Sequence, residues 1–306
     1  MTPSDPIDAL IARERLPASF ASAVLPTYGR IAAAAVRRHE ALGRPMVLGV
    51  SGPQGSGKST LALFLEALLE RQGLRTARLS LDDLYLTRAE RLRLGRDVHP
   101  LLATRGVPGA HDVALGLDVI TRLTSAGPGE ARPLPRFDKS VDDRAPEREW
   151  PVFHGRADIV LFEGWCVGAR PQDEADLAAP INALERDRDP DGRWRRYVNA
   201  QLQGPYRTLF ALIDLLVAVR APSFDCVLAW RTEQEHKLAL SLAAAPGRSG
   251  AAPPGSKVMS DAEIAVFIQH YERLTRALIE DLPRRADILV ELAPDRRIVA
   301  LSGPAL

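Results

Sequence analysis

One octapeptide constrains this chain more than any other feature. Gly52-Pro53-Gln54-Gly55-Ser56-Gly57-Lys58-Ser59 fits the pattern GxxxxGK[ST], directly after the apolar run at 46–50 and directly before a helical stretch at 61–69. Glycines let successive N–H groups turn inward, and a helix start adds partial positive charge, so strand, turn and helix in this order form an anion cradle. The spacing predicts that residues 52–59, with Thr60, wrap the phosphates of a nucleoside triphosphate. Lys58 is expected to reach the β- and γ-phosphates, Ser59 to ligate Mg²⁺ and Thr60 to donate to the α-phosphate. The bland alternative is a glycine-rich turn carrying an exposed lysine, and the flanking strand and helix argue against it.

The rest of the chain alternates strand and helix signals. Residues 77–81 read as the next strand, and 159–162, 215–219 and 288–292 are short apolar runs suited to strands buried on both faces. Gly73 can end the helix after the loop in a left-handed conformation, and Asp112 can cap a helix running to 123. Ser260-Asp261-Ala262-Glu263 has the form of a capping box opening a helix to about residue 279. Parallel neighbours need crossover connections, so the pattern predicts an α/β fold: a doubly wound, mainly parallel sheet with helices on both faces. A single domain over 1–306 is expected, with a helical N-terminal extension at 1–44. Residues 243–255, rich in Ala, Gly, Pro and Ser, have little to bury and read as a mobile loop.

Charge and composition narrow the function. There are 40 Lys and Arg against 39 Asp and Glu, a formal net charge of +1, which gives no basic footprint for nucleic acid. No apolar stretch approaches the roughly 18 residues of a membrane helix, so no membrane partner is expected. The N-terminus lacks the basic-then-apolar order of a secretory signal. Cys166 and Cys226 have neither disulfide-framework nor zinc spacing. The expected location is cytoplasmic, and the expected partner is a small-molecule substrate.

Parallel sheets bind ligands at the carboxyl ends of their strands. Asp82 and Asp83 follow the strand at 77–81, and Glu163 follows the strand at 159–162. Asp158 lies at the opposite end of that strand, about 17 Å from Glu163 at roughly 3.3 Å per residue, and is expected off the site. Phosphoryl transfer needs an aligned acceptor hydroxyl and a group to take its proton. Asp82 is the candidate base. Glu163 would orient the Mg²⁺ shell through a ligand water, and Asp83 either touches a metal-bound water or caps the turn. Neither Asn182 nor Asn199 is followed by lysine, which removes the guanine reader of a GTPase switch, and no LSGGQ segment suggests a transporter ATPase. A small-molecule kinase remains.

Several further segments sharpen this. Ser80-Leu-Asp-Asp-Leu-Tyr-Leu-Thr87, Arg105-Gly-Val-Pro-Gly-Ala-His-Asp112, Pro135-Arg-Phe-Asp-Lys-Ser140, Leu161-Phe-Glu-Gly-Trp165, Tyr197-Val-Asn199, Trp230-Arg231 and Lys257-Val-Met-Ser-Asp261 stand in the order and spacing of a known family. Together with the loop they resemble the D-glycerate 3-kinases, the plant-type glycerate kinases related to phosphoribulokinase, uridine kinase and bacterial pantothenate kinase. The resemblance implies ATP and Mg²⁺ as cofactors, glycerate as acceptor, and Asp82 as base. It also implies that the segments at 105–112 and 135–140 line the acceptor pocket.

Within them Arg105, His111, Arg136, Asp138 and Lys139 are the candidate substrate contacts, with Asp83 and Tyr85 beside them. A bidentate guanidinium suits a carboxylate best, which favours Arg105 and Arg136 over Lys139. By resemblance, Arg231 opens a lid helix within about 222–260 and neutralises the transferred phosphate. The competing reading is a helix surface, supported by Arg231 with Glu235 and Glu233 with Lys237 at i,i+4 spacing. Tyr85, Phe137 and Trp165 either shape the pocket or pack in the core.

Three functions stay open at this point. One is an ATP-dependent glycerate 3-kinase, yielding 3-phosphoglycerate. The second is a related kinase acting on a nucleoside, a sugar phosphate or pantothenate. The third is a regulatory protein that binds ATP without turnover.

Overall fold

The computed structural model describes residues 6–17, 19–243 and 259–306. In chain order the strands are β1 (Met46–Ser51), β2 (Thr76–Ser80), β3 (Ala131–Pro133), β4 (Phe137–Asp138), β5 (Asp143–Arg144), β6 (Val152–His154), β7 (Ile159–Gly164), β8 (Leu215–Arg220), β9 (Ile288–Leu292) and β10 (Ile298–Ser302). The helices are α1 (Pro6–Arg13), α2 (Phe20–Leu42), α3 (Lys58–Glu70), α4 (Arg88–Asp97), α5 (Val113–Ser125), α6 (Ala183–Arg188), α7 (Arg193–Gln203), α8 (Pro205–Phe210), α9 (Phe224–Ala243) and α10 (Asp261–Asp281).

Among the described residues the main sheet has six strands in the order β10-β9-β8-β1-β7-β2, all parallel except the edge strand β10. Every residue of β1 and of β7 is buried. Successive side chains of a strand point to opposite faces, so full burial means that both faces are covered. Helix α3 packs on β1, β2 and β7, and α5 packs on β7. The expected doubly wound α/β architecture is the one observed.

The N-terminal helices dock on the loop's own helix. Helix α2 lies along α3, where Phe20 meets Phe64 with ring centroids 4.9 Å apart and Tyr28 at 6.0 Å. Helix α3 closes as its sequence suggests: Gly73 takes φ 80°, and Leu74 N donates to Leu69 O at 3.2 Å. Asp112 accepts from Leu115 N at 2.9 Å, and the Ser260/Glu263 capping box is formed in full.

Two strand ends differ from the sequence pattern. Strand β7 runs two residues past Phe162, because β1 continues to pair with Glu163 and Gly164 and β2 with Glu163. Strand β2 stops at Ser80, and Leu81 instead opens a 3₁₀ turn, Leu81–Leu84, capped by the Ser80 hydroxyl. The edge strand β10 has no clear sequence signal, because its residues are only partly buried and its pairing is broken by a register shift between Ile298 and Ala300. Residues 244–255 of the expected loop, and Lys257, lie outside the described residues. Among the described residues no helix is long and apolar enough to cross a membrane.

Candidate active site

The sheet order puts β1 between β7 and β8, so the chain leaves β1 for α3 where the crossovers part to opposite sides. This is the crevice in which parallel sheets take their ligands. The glycine-rich loop spans it. Gly55 and Gly57 take φ 74° and 81°, a region that side chains disfavour. A Cβ on Gly55 would stand 2.6 Å from Trp230 Cβ, so the loop is also closed against α9. Gly52 N donates to Gly164 O at 3.4 Å and Ser56 N to Pro53 O at 3.3 Å, which ties the loop to β7 and to itself. Lys58, Ser59 and Thr60 form the first turn of α3, where free N–H groups and the helix dipole favour an anion. The Ser56 hydroxyl and Gln54 Oε1 are buried without hydrogen-bond partners.

Glu163 stands in register with Val50 on one side and Ser80 on the other, at the carboxyl end of the sheet. Its Oε1 accepts from Ser59 Oγ at 3.2 Å, while Oε2 is buried and has no partner. A hydroxyl and a carboxylate with spare lone pairs form an all-oxygen donor set, which suits Mg²⁺. Among the described residues no three His, Cys, Asp or Glu side chains converge as a metal site. A cation held by these two oxygens would need its remaining ligands from outside the protein side chains. Asp158 is at the far end of β7, where its carboxylate accepts from Arg75 N at 2.8 Å.

The 3₁₀ turn after β2 delivers Asp82 to the same crevice. Its carboxylate accepts from Lys139 Nζ at 2.7 Å. Burial alone would raise the Asp82 pKa, but the charges of Lys139 and Lys58 outweigh it and bring it down to about 2. Asp82 is thus ionised at neutral pH and faces both the loop lysine and the hairpin lysine.

Asp83 points the other way. Burial raises its pKa, and it holds Arg136 Nη1 at 2.9 Å and Phe137 N at 3.1 Å. These bonds fix the segment at 135–140 above the turn. Arg105 pairs with Asp142, and Asp138 accepts from the amide and hydroxyl of Ser140, closing its own turn.

Tyr85 and His111 stack at 4.4 Å between ring centroids, and Phe137 meets Tyr85 edge-on at 5.2 Å. Burial, and then the neighbouring Asp82 charge, push the Tyr85 phenol well above its usual range. Burial drops the His111 imidazole to about 3. It is neutral, with Nδ1 2.6 Å from the Tyr206 hydroxyl and Nε2 buried without a partner. Trp165 is buried, donating Nε1–H to Gly106 O at 2.9 Å and leaning on Tyr271 at 5.0 Å. Arg231, on α9 one residue after Trp230, pairs with Glu235 at 2.6 Å and lies 5.9 Å from the Phe267 ring of α10. Glu233 and Lys237 pair at 2.5 Å.

Tyr206, Tyr271 and Asp142 shape the site without standing in any sequence motif. Tyr206 reaches His111 across 95 positions of chain, and Tyr271 donates to Arg105 O across 166. No local pattern could have shown either.

No protein-family model matches the chain. It is 36% identical over 242 residues to an uncharacterized kinase, mug58, of Schizosaccharomyces pombe, covering 75% of this chain and 79% of that protein. It is 32% identical over 248 residues to the chloroplastic D-glycerate 3-kinase of Arabidopsis thaliana, covering 78% of this chain and 48% of the plant protein, so it spans about half of that relative. Among solved structures it is similar to a D-glycerate 3-kinase from Cryptococcus neoformans, with TM-score 0.68, 25% identity, and coverage of 90% of this chain and 98% of the other. The loop, the sheet order and these relatives agree: the chain belongs to the P-loop kinases of the phosphoribulokinase and uridine kinase type.

Proposed function

We propose that this P-loop small-molecule kinase transfers the γ-phosphate of ATP to the terminal hydroxyl of D-glycerate, giving 3-phosphoglycerate. The observation that carries the reading is the position of Asp82, ionised between Lys58 and Lys139 at the mouth of the phosphate loop. An acceptor hydroxyl hydrogen-bonded to Asp82 would point its oxygen toward a γ-phosphate held by Lys58. Transfer of this type has a loose transition state, so the hydroxyl loses its proton late, when it has become strongly acidic. A weakly basic carboxylate is sufficient for that task, and its constant ionisation keeps it ready. Ser59 and Glu163 would hold Mg²⁺, which would supply positive charge to offset the charge developing during transfer. Lys58, relieved of Asp82 by the phosphates, would follow the transferred group.

A small carboxylate acceptor fits the cations Arg105 and Lys139 that the 105–112 and 135–140 segments supply. The relatives named as D-glycerate 3-kinases support the same acceptor. The test is ADP release with D-glycerate, L-glycerate, uridine, ribulose 5-phosphate and pantothenate, with the phosphorylated product identified by NMR. D-Glycerate phosphorylated at its terminal oxygen is expected, and turnover of uridine without D-glycerate would replace the acceptor.

A further inference from the structure

Two arginines converge on one carboxylate beside the crevice. Arg91 of α4 is fully buried; its Nη2 donates to the Asp142 carbonyl at 2.7 Å and to Asp142 Oδ2 at 2.9 Å. Arg105 Nη1 donates to the other oxygen of the same carboxylate, Oδ1. Both guanidiniums lie over the Phe137 ring, 5.4 and 5.8 Å from its centroid, and Arg91 Nε is buried with no partner. The pair is therefore held in place by an aromatic face, independently of the carboxylate between them.

Asp142 is the solvent-facing member of the cluster: its side chain is 41% exposed, and its φ of 57° is in the left-handed region that aspartate enters more readily than most side chains. It sits on the tip of the β4–β5 hairpin, together with Lys139. The stem is pinned elsewhere: Arg144 Nη2 donates to Tyr85 O at 2.9 Å, and Asp143 accepts from Arg88 N at 2.9 Å. None of these stem bonds is made by the tip residues 139–142.

The geometry points to Arg91 and Arg105 as a carboxylate-binding site whose resident occupant is Asp142 and whose incoming ligand is the carboxylate of the acceptor. This rests on the proposal that the acceptor is a small hydroxy acid. Exchanging one carboxylate for another leaves neither guanidinium without a counter-charge, which would otherwise oppose any opening of a buried pair. Arg136 is not the equivalent group, because Asp83 holds it and the backbone of Phe137 together. The exchange also has a consequence for the base. Lys139 travels with the tip, so displacement of Asp142 draws the ammonium away from Asp82 as the acceptor arrives.

The test compares the wild-type chain with Asp142→Asn. A competitor that fills a site roughly nine-tenths of the time weakens the ligand about tenfold, so the variant is expected to show a KM for D-glycerate lowered by about that factor. The KM for ATP should not change. Asp142→Asn leaves two guanidiniums without their carboxylate and lowers the thermal midpoint. Acetate or D-glycerate, titrated against chloride at matched ionic strength, should restore that midpoint while glycerol should not. An unchanged or raised KM for D-glycerate, or a midpoint that neither carboxylate restores, rejects the site. If wild-type protein still turns over D-glycerate in that case, the proposed function stands. If wild-type protein does not use D-glycerate at all, function and site fall together.

Discussion

Lys139 and Asp82 meet at 2.7 Å across 57 positions of chain, and this contact joins the β4–β5 hairpin to the turn after β2. Arginine is the better carboxylate ligand in general, yet at Asp82 the cation is the lysine, while Arg136 and Arg105 turn to Asp83 and Asp142. The choice suits the proposed exchange at Asp142, in which this contact would open. An ammonium is a single flexible point charge and leaves a carboxylate more readily than a bidentate guanidinium does.

The first prediction concerns pH. The Asp82 pKa is about 2 in the folded chain against an ordinary 3.8. A depressed carboxyl contributes stability that is complete above the unfolded value and is lost as pH falls from about 3.8 toward 2. Lys139 is 60% exposed and Asp82 33%, so the pair contributes at most about 1 kcal/mol. Lys139→Met should barely move the thermal midpoint at pH 7. Burial then outweighs the remaining cation, the Asp82 pKa rises, and the acid limb of kcat/KM shifts to higher pH. An acid limb that stays put would show that Lys139 does not set the ionisation of Asp82.

Asp82→Asn removes the proposed proton acceptor and keeps the shape. Transfer should drop by about 10²- to 10⁴-fold, while calorimetry should find ATP bound at least as tightly, because a negative charge near the phosphates is gone. Equal losses of binding and transfer would assign Asp82 to nucleotide binding and not to the chemistry.

Glu163→Gln tests the unpaired oxygen at the end of β7. The amide can still accept from Ser59, but it offers no charge and turns an N–H₂ toward any cation. The magnesium concentration for half-maximal rate at fixed ATP should rise about 10- to 100-fold. A normal magnesium dependence in the variant would mean that Glu163 acts only as a strand-end acceptor for Ser59.

The phosphate loop was fully legible in sequence, because its function depends on backbone conformations that only particular residues permit and on spacing within eight positions. The parallel strands β1, β7 and β8 were legible for a similar reason, since burial on both faces demands continuous apolar runs, whereas Arg78 in β2 and Glu291 in β9 interrupt that pattern at half-buried positions. What sequence reasoning could not resolve was the pairing of charges. The sequence favoured Arg105 and Arg136 over Lys139 as carboxylate ligands, and only the hairpin geometry distributes the three among Asp142, Asp83 and Asp82. Arg91 carried no signal at all, since a buried arginine on a helix looks the same as a solvated one until its partner is known.

Gly55→Ala should injure the loop in two ways. Alanine at φ 74° is strained by about 1–2 kcal/mol, and its Cβ meets Trp230 Cβ at 2.6 Å, where neither backbone can yield cheaply. Overpacking of this kind adds about 1–3 kcal/mol. The thermal midpoint should fall, and the affinity for ATP should fall with it because α9 is pushed from the loop. A variant with native stability and native ATP affinity would show that the Trp230 contact is loose in solution.

The last prediction uses His111 as an internal acid sensor. The ring is 5% exposed, stacked on Tyr85 and bonded to Tyr206, and burial lowers its pKa to about 3 from an ordinary 6.5. Between those values the unfolded chain binds a proton that the folded chain refuses. Stability is therefore full above pH 6.5 and declines as pH falls toward 3, by at most about 1.4 kcal/mol per pH unit. His111→Phe preserves the stack on Tyr85 and loses the bond to Tyr206, so the variant should be about 1–2 kcal/mol less stable at pH 7.5. It has no imidazole to charge, however, and its stability should decline less steeply below pH 6.5. All other titrating groups are shared, so the difference between the two curves isolates His111. Urea midpoints at pH 7.5 and 4.5 should bring the variant level with the wild type or above it at the lower pH; parallel curves would mean that water reaches this ring and that it protonates within the folded chain.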